Sequence, residues 1–127
     1  MANPNIVNVS DIKGNTASFV ISTAAVPFAT ALVNNPASSN KIYKINSLIA
    51  ANKEGANSYT VSVFLYSQDD LGGTNTEIAS TVTVPADASV VVLDKSTSLY
   101  LLEDRSIGVS ANVANTIVVT CSWEEIS

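Results

Sequence analysis

The sequence predicts an all-β protein: a single antiparallel β-sandwich of about eight strands, Ig-like or jelly roll. Three observations predict it. Apolar and polar residues alternate along several stretches of the second half, most clearly from Thr116, where Ile117, Val119, Cys121 and Trp123 point one way and Val118, Thr120, Ser122 and Glu124 the other. Val, Ile and Thr, whose branched side chains suit a pleated surface, dominate these runs, and no window of about 12 residues holds a helical period. Clusters of Gly, Pro, Asn and Asp punctuate the chain at roughly the 8 to 12 residue spacing of sandwich strands.

Taken in order, a turn at Lys13-Gly14-Asn15 precedes a first strand over Thr16 to Thr23, and a second runs from Pro27 to Val33. Residues 34 to 40, Asn-Asn-Pro-Ala-Ser-Ser-Asn, have almost nothing to bury and read as a loop. From Lys41 to Ala51 the alternation sets Tyr43, Ile45, Ser47, Ile49 and Ala51 on the core face. The segment Asn52 to Asn57 is expected to use Gly55 at positive φ and return the chain as a hairpin into Ser58 to Ser67, where Tyr59, Val61, Val63 and Leu65 share a face. A connection around residues 68 to 75 leads to Glu77 to Val84, with Ile78, Val82 and Val84 in phase. Pro85-Ala86-Asp87 is a turn, since Pro has no N–H for a ladder. Ser89 to Leu93, the short Ser98 to Leu102, Ser106 to Asn112 and Thr116 to Glu125 complete the pattern. The predicted core includes Ile45, Ile49, Val61, Val63, Ile107, Val109, Val119 and Cys121. Residues 1 to 15 read as an N-terminal arm and 16 to 127 as the domain.

Composition narrows function by exclusion. The 127 residues suffice for one hydrophobic core. Charged residues reach only 13%, against roughly 25% in average soluble proteins, which suits a subunit that hides surface against partners. A net charge of −5 disfavours nucleic acid as a partner. The absence of His removes the commonest general base and transition-metal ligand, so neither catalysis nor a cofactor is expected. The single Cys forms no internal disulfide. The first five residues lack the features of a secretory signal and no run is long and apolar enough to span a membrane, so the chain is expected to be made soluble in a cytoplasm and to leave it only within an assembled particle.

The polar candidates have plain readings. Asp69, Asp70, Asn75 and Glu77 hold oxygens for a hard cation such as Ca²⁺, but their spacing matches no EF-hand and loop solvation explains them better. The pairs Glu103-Asp104 and Glu124-Glu125 sit near strand ends, where wet rims are expected; neighbours on a strand also point to opposite faces, which spoils a shared acid–base site. Cys121 reads as an inert core thiol. Phe64 and Tyr66 give their strand a second apolar face and, with Trp123, are candidate interface anchors, core being the competing reading.

The stretches Lys41 to Ile49 (Lys-Ile-Tyr-Lys-Ile-Asn-Ser-Leu-Ile), Ala79 to Asp87, Ser98 to Asp104 and the ending Ser-Trp-Glu-Glu-Ile-Ser at 122 to 127 resemble small all-β virion proteins of tailed bacteriophages, particularly those infecting marine cyanobacteria. The likeness covers about the last two-thirds of the chain. It implies a structural protein of the particle: a capsid decoration (cement) protein, or a neck or tail component, commonly a homotrimer or other ring. Its partner would be the major capsid protein or another virion protein, and its N-terminal arm would lie across a neighbouring subunit. A carbohydrate- or receptor-binding sandwich is the alternative; against it, residues 34 to 40 and 68 to 75 carry no aromatic platform.

Overall fold

A computed structural model describes residues 7–22 and 30–127; Pro27 to Ala29 of the predicted second strand, Thr23, and the first six residues of the arm lie outside them. Among the described residues nine strands form: β1 (Ile12–Val20), β2 (Thr30–Asn35), β3 (Ile42–Asn52), β4 (Tyr59–Tyr66), β5 (Asn75–Val84), β6 (Ser89–Leu93), β7 (Leu99–Leu101), β8 (Arg105–Ala111) and β9 (Ile117–Ile126). A short 3₁₀ turn at Lys95–Thr97, capped by Asp94, links β6 to β7. The ladders are antiparallel throughout. One sheet runs β1-β9-β3-β6, with β7 also on β3, and the other runs β2-β8-β4-β5. This order, in which the chain repeatedly changes sheet, is that of a jelly roll and decides the topology that strand spacing left open.

The inner faces meet in one core. Ile45, Leu48, Val61, Val63, Val84, Leu101, Ile107, Val109, Ile117, Val119 and Cys121 are fully buried in it. β9 supplies Ile117, Val119, Cys121 and Trp123 on alternate positions, the geometry that a strand buried on one face requires.

Three expectations are corrected by the register. Ile49 is not core: it is 36% exposed, while Leu48 and Ala50 are fully buried. The cause is a bulge. Ile45 pairs with Trp123 and Ser47 with Ser122, so Asn46 is an extra residue, and one extra residue moves every later side chain to the opposite face. Next, β3 and β4 are not a hairpin. β3 pairs with β9, β6 and β7, whereas β4 pairs with β5 and β8, so residues 53 to 58 form a corner between sheets. Asn52 holds that corner, its Nδ2 donating to the carbonyls of Asn57 (2.8 Å) and Val84 (3.1 Å) and its Oδ1 accepting from Glu54 N. Gly55 has no positive φ there; Gly73 does, at +73°. Finally, Lys13, Gly14 and Asn15 make no turn. They lie in β1, paired with Glu125, Glu124 and Trp123, so the sheet begins three residues before Asn15.

A related shift displaces Ile78. Between Val63↔Ala79 and Phe64↔Glu77 it has no partner, and it is 38% exposed. A second irregularity in β5 places Thr81 at φ 44°, a left-handed position that a β-branched residue rarely takes. Its N–H is satisfied by Ser62 Oγ at 3.0 Å.

The bulge gives adjacent residues opposite fates. Leu48→Ala should cost about 2–5 kcal/mol, the range for emptying a core leucine site. Ile49→Ala should cost about 1 kcal/mol or less, as half-exposed positions do. Urea denaturation of the two variants checks this; equal losses would place Ile49 in the core after all.

Candidate functional site

The polar groups gather at the sandwich end where β3 begins and β4 and β9 finish. The strand alternation brings Glu125 to the same face as Trp123, and the β1 and β3 registers set Asn15 beside Trp123 and Tyr43 beside Glu125. The carboxylate becomes a junction. Glu125 Oε2 accepts from Asn15 Nδ2 (3.1 Å) and Trp123 Nε1 (3.2 Å), and Oε1 faces Lys41 Nζ at 3.3 Å. The Tyr43 and Trp123 rings stack with centroids 6.2 Å apart. Burial raises the Glu125 carboxyl, but the three donors and the Lys41 charge outweigh it and hold the group below its ordinary value. Tyr43 is raised by burial and by the nearby Glu125 charge.

Three loops lie at the same end. The carboxylate of Asp69 accepts from Ala37 N (2.9 Å), that of Asp70 from Asn34 Nδ2 (2.9 Å), and that of Asp104 from Asp69 N (3.1 Å). Asn35 is fully buried; its Nδ2 donates to the carbonyls of Lys41 and Leu101 and its Oδ1 accepts from Ser39 Oγ. Ser38, Asn40, Asp70, Leu71 and Asp104 all adopt positive φ, so these are tight, locally wound loops. Leu71, the unusual member, is held by donation of its N–H to Ser106 Oγ at 2.9 Å.

These contacts change the reading of the sequence candidates. Asp69 and Asp70 fasten loops together, whereas Asn75 and Glu77 lie on exposed β5; among the described residues no group of three or more acidic, His or Cys side chains is placed to hold a metal. Glu103 is not a wet rim residue: it is 3% exposed and accepts from Asn40 N at 2.6 Å. Glu124 accepts from Asn46 Nδ2 at 3.3 Å, which ties the bulge to β9. Phe64, Tyr66 and Trp123 are 2, 5 and 7% exposed: Trp123 belongs to the core, whereas Phe64 and Tyr66 are buried on the face of β4 turned away from it, so none of the three presents an exposed anchor. Trp123 closes the core. On its own face of β4, Phe64 lies across from Gly108 of β8, its ring centroid 6.4 Å from that of Tyr66. Asn35 and Asn52 went unread because they lie in stretches that look like plain turns.

Cys121 is buried, and desolvation pushes its thiol up to about 12. At neutral pH the thiolate, the reactive form, is then vanishingly scarce.

Among solved structures the chain is similar to a protein of the Bacillus endospore appendages, which form a novel family of disulfide-linked pili: TM-score 0.53 at 16% identity, over 100% of this chain and 94% of that one. The likeness establishes a shared β-sandwich fold. A chain of the infectious bursal disease virus Gx strain aligns more loosely, with TM-score 0.34 at 10% identity, over 93% of this chain and 40% of its own. No protein-family model and no curated protein matches the chain.

Two predictions arise at this end. A carboxyl held low when folded adds stability that is complete above its unfolded value, near 4.5, and is lost as pH falls through the lower folded value. Glu125→Gln should therefore unfold more readily than wild type at pH 7 and converge with it in acid, measured by urea midpoints from pH 7 to 2; the comparison isolates Glu125 because Asp94 is also held low by its Ser96 hydrogen bonds. A gap that stayed constant across that range would remove Glu125 from the linkage. As for Cys121, it should react with a thiol reagent in the native state at least ~100-fold more slowly than in urea, and no disulfide-linked ladder should form on oxidation.

Proposed function

We propose that this chain is a non-enzymatic structural subunit of a tailed-phage particle, seated on the head as a capsid decoration protein that self-associates as a trimer or other ring. The observation that carries the assembly part is the asymmetry of its sheet edges. Natural sandwiches blunt exposed edges with bulges, short strands or cover. Here β5 has two register irregularities, β2 has one, and the far side of the other sheet is divided between five-residue β6 and three-residue β7. β1 differs. It is nine residues long, terminal in its sheet, largely exposed, and paired one-to-one with β9 without a shift. A regular outer edge offers backbone donors and acceptors to a strand of a neighbour.

The appendage likeness supports the class at the level of fold, since that neighbour belongs to an assembled pilus. Its disulfide linkage does not transfer through the buried Cys121. The polar side chains that reaction chemistry would need are here engaged in joining loops and strands. Upstream of Ser10, whose N–H and Oγ both donate to the Ser127 carbonyl, the chain serves as the arm that reaches a neighbouring subunit.

The test is native mass, by light scattering or native mass spectrometry, with co-sedimentation on undecorated phage capsids. The expected result is a defined ring that binds capsids stoichiometrically, and deletion of residues 2 to 9 should weaken that binding while leaving the unfolding midpoint unchanged. A monomer that ignores capsids at every concentration would overturn the proposal; a ring that binds tails alone would move the subunit from head to tail.

A further inference from the structure

At the edge of the sandwich's loop-bearing end lies an open depression of about 160 Å³, lined by Leu65, Tyr66, Ser67, Thr74, Thr76 and Arg105. Arg105 is the only arginine in the chain. Its Nη1 donates to the carbonyls of Ser67 (2.9 Å) and Asp104 (2.8 Å), which pins one corner of the guanidinium. The ion pairs among the described residues are Lys13–Asp11 and Lys41–Glu125, so no described carboxylate neutralises Arg105. The adjacent Asp104 carboxylate is turned to Asp69 N instead. Beside the guanidinium, Ser67 Oγ accepts from Thr74 N at 2.9 Å, with the Thr74 hydroxyl at 3.4 Å. Gly73 permits this closure: its φ of +73° and the nearness of Ser67 Oγ exclude a side chain there.

We infer that this depression is a carboxylate subsite that receives an acidic side chain of a neighbouring subunit. A planar, partly anchored guanidinium with donors to spare matches a carboxylate, and fixing it beforehand lowers the entropy lost on pairing. The volume decides between occupants. Pockets for free ligands usually measure roughly 300 to 1,000 Å³, and this one accommodates a single functional group with an apolar patch from Leu65 beneath it. Charge points the same way: copies carrying −5 each repel, and an unneutralised cation at the contact offsets that repulsion locally. The neighbour in this inference rests on the assembly reading above, whereas the affinity for carboxylate does not.

Two arms test it. Acetate titrated into the ¹⁵N-labelled full chain, with chloride at matched ionic strength as control, should shift the Arg105 Nε–H and the Ser67 and Thr74 amides saturably. Arg105→Gln should weaken that binding at least ~10-fold and Arg105→Lys less, because lysine keeps the charge but loses the fork. Absence of a saturable shift in wild type overturns the subsite, whatever the state of assembly. In the second arm, Arg105→Gln should raise the dissociation constant of the assembled form ~10-fold or more, with its amide spectrum otherwise native. If acetate binds but assembly is unchanged by the variant, the site serves a free small acid and the side-chain occupant is overturned. A wild type that is monomeric alone and with capsids sinks the assembly reading and that occupant together, while the acetate arm still decides the subsite.

Discussion

The β3–β9 ladder is the constraint on which the rest of the molecule depends. β9 lies between β1 and β3, and β3 carries β6 and β7 on its other side, so one sheet is organised about this pair. Its single extra residue, Asn46, sets which residues in the second half of β3 face inward. Before the bulge Tyr43 and Ile45 enter the core; after it Leu48, Ala50 and Asn52 do. Without it the second half of β3 would turn Ser47, Ile49 and Ala51 inward and Leu48, Ala50 and Asn52 outward, an exchange nearly even in apolar area, so what the bulge secures is the inward Asn52 that holds the corner to β4. The donation from Asn46 Nδ2 to Glu124 shows how the irregular residue is kept in place by the strand it bulges from.

The polar chemistry of the chain follows from closing the ends of such a sandwich. Where strands leave a sheet, backbone groups lose their ladder partners, and buried groups left unpaired cost roughly 1–3 kcal/mol each. Asn52 resolves this at one end and Asn35 at the other, each satisfying carbonyls from two separate segments. Glu103, Asp69, Asp70 and Asp104 accept backbone or side-chain donors across the loops in the same way. These carboxylates serve to join loops and strands at the ends of the sandwich.

Much of the architecture was legible in the sequence because strand alternation is a local signal. Ile117 to Trp123 and Ile107 to Ala111 read directly as alternating strands, and the structure buries their inner positions, although in β8 Ser106, Gly108 and Ser110 on the other face are buried as well. Partner choice is not local. The segment 41–67 looked like a hairpin because its turn is short and rich in Asn and Gly, yet each strand pairs with more distant segments, joined by contacts that no sequence neighbour announces. Ile49 and Ile78 were misplaced for a related reason, since a bulge is visible only against the opposing strand. The end cluster was hidden differently. Asn15, Lys41, Tyr43 and Glu125 come from three regions of the chain, and the sequence signal pointing to them is the in-phase Trp123 and Glu125 at the end of an otherwise apolar face.

The same geometry links the β1 edge and the Arg105 depression. Phe64, Tyr66 and Trp123 are all buried, and among the described aromatics Tyr100 is the large exposed one, so aromatic anchors of the kind that commonly dominate an interface are few. In the assembly proposed above, contact strength would come from backbone ladders and from a few fixed polar groups. β1 provides the first: a regular edge anchored to β9 through nine paired positions and held at its start by the Ser10, Asp11 and Ser127 backbone bonds. Arg105 provides the second, a cation pinned at the mouth of β8 on the opposite sheet. An edge ladder has little intrinsic sequence specificity, because every residue offers nearly the same N–H and C=O. In the proposed assembly a guanidinium that accepts one correctly placed carboxylate would supply the register, while closure into a ring would follow from the rotation between neighbours.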